Sequence, residues 1–242
     1  YMVLKYRMPN GHCEVPLSDA ERAIRIVREH AGEWNINPRK IGIMGASAGG
    51  HLASTLATHY SAETRPDFQI LLYPVVTMLQ NTHGGSRNEL LGKSPTTEQI
   101  RHFSNELQVT SDTPQAFIVL SSDDGAVPPS NGVNYYLALQ KNNVPASLHV
   151  YPTGGHGWGY RDNFKYKQQW TQELEVFLLQ ENRYVILLSS QNSVSSTQWE
   201  EKACSLVHEL HTVFQNYLNA DTCYGVSSAV SKFSALPEAF EH

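Results

Sequence analysis

The sequence predicts an α/β fold with a parallel sheet, because apolar strand-like runs alternate along it with helical patterns. Three observations carry this prediction. The apolar run 41–44 leads directly into the motif Gly-Ala-Ser-Ala-Gly at 45–49, and a helical pattern of small residues follows. The runs 115–120 and 147–151 are also strand-like, and each ends in a polar or glycine-rich segment. Functional groups are therefore expected just beyond these strands, at one edge of the sheet.

The elements before the motif are a strand and a helix. The apolar-rich stretch 2–7 predicts the strand. Ser18 and Glu21 have the spacing of a capping box, which predicts a helix that begins there and stops at Gly32. We expect this helix to bury an apolar face formed by Ala23, Ile24, Ile26 and Val27.

The elements after the motif continue the alternation of helix and strand. The helix that follows Ser47 has an apolar inner face, and the run 68–76 predicts the next strand. The polar segment 78–112 is expected to lie over the site as a cap, and a helix is expected over 166–179. The predicted inner face of the first of these helices consists of Leu52, Ala53, Leu56 and Ala57.

Ser47 is the candidate nucleophile. A tight strand–turn–helix connection holds the serine in a strained backbone conformation, and Gly45 and Gly49 lack side chains that would clash. The N–H groups at the start of the helix can stabilise negative charge on a bound carbonyl oxygen. The motif alone also fits an ordinary Gly/Ser/Ala turn, so the prediction depends on partner residues elsewhere in the chain.

Suitable partners follow in the order serine, acid, histidine, each after its own strand. Asp124 is preferred to Asp123 as the acid, because Val127 would anchor its loop in the core, and Asp123 would then bond the loop backbone. His156 lies in a glycine-rich loop that can turn its imidazole toward the serine. Taken separately, Asp124 also fits a helix cap and His156 a solvated loop residue.

Several stretches resemble the α/β-hydrolase esterases of the acetyl esterase and acetyl xylan esterase type. The matching stretches are 4–9, 40–52, 103–107, 123–129 and 154–157, and the resemblance covers residues 1–182. It implies that Ser47 is the nucleophile, Asp124 the acid and His156 the general base. It also implies that the N–H of Ala48 is an oxyanion donor.

The sequence departs from that family at its beginning. The family's second oxyanion donor comes from a His-Gly-Gly-type loop after the third strand, and neither the loop nor the first three strands is found before the stretch 2–7. We therefore expect an N-terminally truncated chain. Either the stretch 2–7 pairs directly with 40–44, or that edge stays open. Loss of one oxyanion donor costs about 10²–10³ in rate.

Residues 183–242 are expected to form a small C-terminal β-α-β piece outside the α/β-hydrolase fold. A strand-like run at 184–189 precedes a second capping box at 197–200 and a long amphipathic helix, and a short strand follows at 222–226. The stretches 224–228 and 236–240 resemble the GGDEF-like domain of AraC-type response regulators.

Composition excludes several function classes. The net charge of −5 gives no basis for nucleic-acid binding, and no apolar run is long enough to cross a membrane. Cys13, Cys204 and Cys223 are too few and too scattered for a disulfide framework or a zinc site, so free thiols are expected. We also expect no metal and no cofactor. A soluble protein is expected, without a visible signal peptide.

The sequence therefore predicts a serine esterase that removes acetyl groups from xylan or a related carbohydrate, so that its partner is a small acylated carbohydrate. The alternative is a catalytically inactive hydrolase fragment joined to a regulatory or interaction module. Trp158 follows His156 by two residues and fits two roles equally well: it can stack on a sugar ring, or it can pack the loop.

Overall fold

The computed structural model describes residues 2–179 and 184–189, and its centre is a sheet of six strands. Every pair of neighbouring strands is parallel. In chain order the strands are β1 (Met2–Lys5), β2 (Ile41–Ala46), β3 (Phe68–Leu72), β4 (Gln115–Ser121), β5 (Ala146–Tyr151) and β6 (Tyr184–Ser189). Their order across the sheet is β1-β6-β2-β3-β4-β5, and the predicted α/β class is confirmed.

Helices lie on both faces of this sheet. They are α1 (Val15–Glu29), α2 (Ala48–His59), α3 (Gly84–Leu91), α4 (Thr97–His102), α5 (Ser130–Lys141) and α6 (Lys167–Leu179). On β3, Gln69 bonds Tyr135 of α5, whereas its neighbour Phe68 packs edge-on against Phe177 of α6. Because successive strand residues point to opposite faces, α5 and α6 cover opposite sides of the sheet.

Strand β6 lies between β1 and β2. Direct pairing of these two strands and an open edge beside β2 were the two expectations, and both are wrong. Residues 186–189 of β6 pair with β1, and its residues 184–188 pair with β2. The stretch 2–7 therefore neither pairs directly with 40–44 nor leaves β2 unpaired. The run Tyr-Val-Ile-Leu-Leu-Ser is rich in strand-forming apolar residues and supplies the backbone hydrogen bonds of an interior parallel strand. Residues 190–242, with the predicted helix and the GGDEF-like stretches, lie outside the described residues.

Helix α1 begins earlier and ends earlier than the sequence predicts. Its N-cap is Glu14, with proline in the first turn, and its C-cap is His30. Pro16 is compatible with a first turn because the N–H groups there have no partner within the helix. Ser18 therefore lies inside the helix, and the Ser18–Glu21 pair is not its cap. Of the predicted buried face, Ile26 is only partly buried.

Strand β3 is shorter than the predicted run 68–76 and ends at Leu72. Tyr73 has a positive φ of 35° and precedes a proline, so the chain leaves the strand there.

Helix α2 agrees with its prediction, since Leu52, Ala53, Leu56 and Ala57 are all buried. The predicted cap segment contains α3, α4 and a short 3₁₀ turn at Asn105–Leu107.

Candidate functional site

Ser47 lies at the sharp turn between β2 and α2. Its φ of 55° and ψ of −120° are strained for a residue with a side chain. Its backbone N–H donates to the carbonyl of Leu72, and its own carbonyl accepts from the N–H groups of His51 and Val75. A Cβ at Gly45 would overlap the backbone of Gly49, so the turn requires glycine there. These contacts hold the Ser47 hydroxyl at the carboxyl edge of the sheet.

His156 lies beyond β5 and bridges the serine and an acid. Its Nε2 is 2.8 Å from Oγ of Ser47, and its Nδ1 is 2.7 Å from Oδ2 of Asp124. The preceding Gly155 has a φ of 60°, which allows the chain to turn the imidazole toward the serine. The imidazole stays partly accessible, with a relative side-chain exposure of 23%, as a group that exchanges protons with a substrate requires.

Asp124 lies in the loop just after β4, where backbone hydrogen bonds hold its carboxylate. Its side chain is only 2% exposed, and its Oδ1 accepts hydrogen bonds from the backbone N–H groups of Ala126 and Val127, each at 2.9 Å. Val127 is buried, as the sequence predicts, and fixes this loop in the core. One carboxylate oxygen is thus occupied by the loop, and the other is directed to His156.

The neighbouring Asp123 has a different set of partners. Its carboxylate accepts from the N–H groups of Gly154 and Gly155, at 3.2 and 2.8 Å. The hydrogen bond from Gly155 and the weaker one from Gly154 lower the pKa of Asp123 against a smaller opposing effect of desolvation. Asp123 therefore ties the loop after β4 to the loop that carries His156.

Ala48 is the first residue of α2, directly after the serine. N–H groups in the first turn of a helix have no acceptor within the helix and carry the positive end of its dipole. The Ala48 N–H is therefore suited to donate to an oxygen that gains negative charge beside Ser47. Ala48 also lines a cavity between α1, α2 and the segment 78–103, so part of the predicted cap segment lies near the residue that follows Ser47.

Tyr73 is a site residue that the sequence analysis missed. Its ring contacts the imidazole of His156 edge-on, with a centroid distance of 4.8 Å, and contacts Trp158 in the same manner. Burial raises the pKa of Tyr73 to about 12, so the phenol stays neutral beside the imidazole. The signal that marks it is the Tyr-Pro pair at the end of β3, at the same sheet edge as the other site residues.

Trp158 is buried, and the structure favours the packing role over the sugar-stacking role. Its exposed fraction is 3%, and its Nε1 donates to Oγ of Ser121 at 2.9 Å. Its ring stacks on Phe164 with a centroid distance of 4.1 Å. Of the two roles that the sequence leaves open for Trp158, these contacts favour packing of the loop that carries His156, and a sugar contact at Trp158 stays a prediction.

A buried polar network supports α2 behind the serine. His51, 6% exposed, donates from Nε2 to the carbonyl of Phe103 at 2.8 Å. The side-chain amide of Asn105 donates to the carbonyl of His51 and to the hydroxyls of Ser54 and Thr55. Desolvation lowers the pKa of His51 to about 4, so it is neutral near pH 7. This network attaches α2 to the end of the cap segment.

Within the part of the chain that the structure describes, no cluster of His, Cys, Asp and Glu has the arrangement of a metal site. In the same residues, no helix is both long and apolar enough to cross a bilayer. The described residues at the site can thus supply a nucleophilic hydroxyl, an imidazole base, a carboxylate that orients the imidazole, and a backbone N–H donor. This set of groups suits acyl transfer.

Comparison with known proteins identifies relatives of the described part. A family model described as alpha/beta hydrolase fold matches residues 2–159, more than half of the chain. The acetylxylan esterase of Xylanibacter ruminicola is 43% identical over 183 residues, covering 74% of this chain and 38% of that protein. Endo-1,4-beta-xylanase B of Butyrivibrio fibrisolvens is 39% identical over 153 residues, covering 59% of this chain and 24% of that protein. The chain thus spans well under half the length of these curated relatives.

A solved structure is similar over most of its length. The crystal structure of an acetyl ester-xyloside bifunctional hydrolase from Caldicellulosiruptor lactoaceticus has a TM-score of 0.69 and 38% identity, covering 73% of this chain and 70% of that chain. The resemblance of 224–228 and 236–240 to GGDEF-like domains finds no support in these comparisons.

Proposed function

Because the chain belongs to the alpha/beta hydrolase fold family, we propose that it is a serine esterase that hydrolyses short-chain acyl esters, chiefly acetyl esters, of xylan or a related carbohydrate. The observation that carries the proposal is the continuous hydrogen-bonded chain from Ser47 through His156 to Asp124. The carbohydrate part rests on the relatives, whose names specify acetylxylan and an acetyl ester-xyloside.

Acylation begins with attack by Ser47 on the ester carbonyl. The imidazole Nε2 of His156 accepts the hydroxyl proton as the Ser47 Oγ–carbon bond forms. Asp124 accepts a hydrogen bond from the Nδ1–H of His156. This bond keeps the imidazole in the correct tautomer and stabilises the imidazolium. The carbonyl oxygen becomes an oxyanion, and the N–H of Ala48 donates to it.

Collapse of the tetrahedral species breaks the bond to the sugar oxygen. His156 returns its proton to that oxygen, and the alcohol leaves while the acyl group stays on Ser47. Water then attacks the acyl-serine with His156 again as base, and acetate departs as the Ser47 hydroxyl is restored. The strained backbone of Ser47 fixes the hydroxyl for both steps.

Hydrolysis of p-nitrophenyl acetate and of acetylated xylo-oligosaccharides tests the proposal. We expect turnover of both by the full chain and its loss, by at least about 10³-fold, in Ser47→Ala. Ser122→Ala is the matched control, because Ser122 is an exposed serine two residues before Asp124. Absence of turnover by folded protein, or turnover that survives in Ser47→Ala, would contradict the proposal. The first result would favour the inactive-hydrolase alternative.

A further inference from the structure

Asn131 lies in the first turn of α5, and its side chain is inside the molecule, with an exposed fraction of 1%. Its Oδ1 accepts hydrogen bonds from the backbone N–H groups of Val76 and Thr77, at 3.0 and 3.2 Å. Its Nδ2 donates to the carbonyls of Asn81 and Pro128, at 3.1 and 3.0 Å. An amide has two donor hydrogens and an oxygen with two lone pairs, so the backbone of two loops uses its whole hydrogen-bonding capacity.

The first of these loops follows β3 and contacts the nucleophile and the base. The N–H of Val75 donates to the carbonyl of Ser47 at 3.0 Å, and the next two N–H groups are the ones that Asn131 accepts. The loop begins with Tyr73, whose ring contacts the imidazole of His156. A shift of this loop therefore displaces both the nucleophile turn and a neighbour of the base.

The second loop follows β4 and holds the acid. Pro128 comes directly after Val127, whose N–H donates to Oδ1 of Asp124. The Pro128 carbonyl accepts the side-chain amide of Asn131 at 3.0 Å and its backbone N–H at 2.9 Å. The acid loop and the start of α5 thus form one unit, and Oδ1 of Asn131 joins this unit to the loop after β3.

The imidazole of His156 requires a fixed separation between the serine and the acid. It is 2.8 Å from Oγ of Ser47 and 2.7 Å from Oδ2 of Asp124, and a ring of fixed width makes both bonds at only one separation. The strands that precede these two residues are not neighbours, because β3 lies between β2 and β4. Strand pairing alone sets them about 10 Å apart. Beyond the strand ends, contacts between the loops must set the separation.

We propose that Asn131 is a positioning residue for the reaction, and that its Oδ1 fixes the separation between the Ser47 turn and the Asp124 loop that His156 bridges. The inference rests on the proposed esterase function. Asn131 acts through the backbone of the two loops. A misplacement of about 1 Å in a site can lower a rate about 10²-fold, so the loss of this link is expected to slow attack by the serine.

The rate and the final extent of labelling of the full chain by a small fluorophosphonate, followed by intact mass, test the proposal. Asn131→Ala removes the acceptor of the Val76 and Thr77 N–H groups. A positioning role predicts a labelling rate constant lower by about 10- to 10²-fold, with every folded molecule labelled in the end. A purely structural role predicts an unchanged rate constant and a labelled fraction that falls only as far as the folded fraction.

Two further variants test the link at Oδ1. Asn131→Asp keeps an acceptor for both N–H groups of the loop after β3 and loses the two donor hydrogens. It is expected to keep the labelling rate within about three-fold, because a carboxylate accepts strongly from N–H groups. Asn131→Ser has a hydroxyl one bond closer to the backbone than Oδ1, and it takes the place of Asn131→Ala should that variant fail to fold.

Two control variants lie on or beside the same helix. Asn142→Ala makes the same change at the other end of α5, where the amide donates to the carbonyl of Ala138, and is expected to leave the labelling rate unchanged. Leu139→Ala removes a fully buried side chain of α5. It is expected to lower the free energy of unfolding without changing the labelling rate of the folded protein.

Three results would overturn the inference. If Asn131→Ala or Asn131→Ser is labelled at the unaltered rate, or if Asn131→Asp loses as much rate as Asn131→Ala, the positioning role is rejected and the esterase function stands. If Leu139→Ala loses as much rate as Asn131→Ala, the effect follows from stability and the role is again rejected. If the unaltered folded chain is not labelled, the proposed function and this inference fail together.

Discussion

Asp123 and Asp124 are adjacent in the chain, yet their carboxylates have separate partners on the same loop. Asp124 is 2.7 Å from Nδ1 of His156, whereas Asp123 accepts from the backbone of Gly154 and Gly155, just before that histidine. One acid therefore contacts the imidazole, and the other fixes the loop that carries it.

This division predicts different effects for the two amide variants. Asp124→Asn is expected to lower kcat by about 10²–10⁴-fold, because an amide cannot enforce the tautomer of His156 or stabilise its charged form. Asp123→Asn is expected to lower kcat less than about ten-fold, since the amide oxygen still accepts from one of the two loop N–H groups. Steady-state hydrolysis of p-nitrophenyl acetate measures both, and equal losses in the two variants would reject the assignment.

Gly45 is predicted to tolerate no side chain. A Cβ there would overlap the backbone of Gly49 at the start of α2, and neither backbone segment can move without displacing Ser47. We expect Gly45→Ala to lower the free energy of unfolding by about 3 kcal/mol or more. Urea unfolding measures this, with Gly125→Ala as control because a Cβ there meets open space. Comparable stability of both variants would contradict the account of the turn.

Trp158 is predicted to contribute to stability and not to sugar binding. Trp158→Ala removes the stacking on Phe164 and the bond to Ser121, and is expected to cost about 3–5 kcal/mol of unfolding free energy. Trp158→Phe keeps an aromatic ring and should change KM for an acetylated xyloside less than about two-fold. A rise in KM of ten-fold or more in this variant, with stability unchanged, would restore the sugar-stacking role.

The free energy of unfolding is expected to depend on pH through His51. Burial lowers its pKa in the folded chain to about 4, against 6.5 as the ordinary value. Between pH 6.5 and 4 the unfolded chain therefore binds a proton that the folded chain excludes, and stability falls as the pH falls through this window. His59, whose pKa is also lowered by burial, acts in the same direction.

His51→Gln isolates that contribution. Glutamine can still donate to the carbonyl of Phe103 but does not titrate, so the loss of stability between pH 7 and pH 4.5 is expected to shrink by about 1–3 kcal/mol. Urea unfolding at the two pH values measures the difference, and the exposed His12→Gln is the control. The same pH slope in His51→Gln as in the unaltered chain would refute the prediction.

The sequence predicts the α/β class and the residues brought together at the site because those signals are local. Ser47, Asp124 and His156 each follow a strand-like run, and parallel strands bring their carboxyl ends to one edge. The preference for Asp124 depends on the burial of Val127, which its apolar side chain indicates.

Other features depend on long-range contacts that a local pattern does not contain. The run 184–189 is visibly strand-like, but its position between β1 and β2 is set by pairing with residues more than 130 positions away. The capping-box pattern at Ser18 is overridden because α1 already begins at Val15. Whether Trp158 is exposed or buried depends on Phe164 and Ser121, which only the folded chain brings to it.

Whether Ser47 is an activated nucleophile is tested by the intact mass of the chain after treatment with a small fluorophosphonate. We expect a single adduct that is lost in Ser47→Ala and retained in Ser122→Ala, because only a serine hydrogen-bonded to His156 loses its proton as it attacks. No adduct on folded protein, or an adduct that persists in Ser47→Ala, would contradict it.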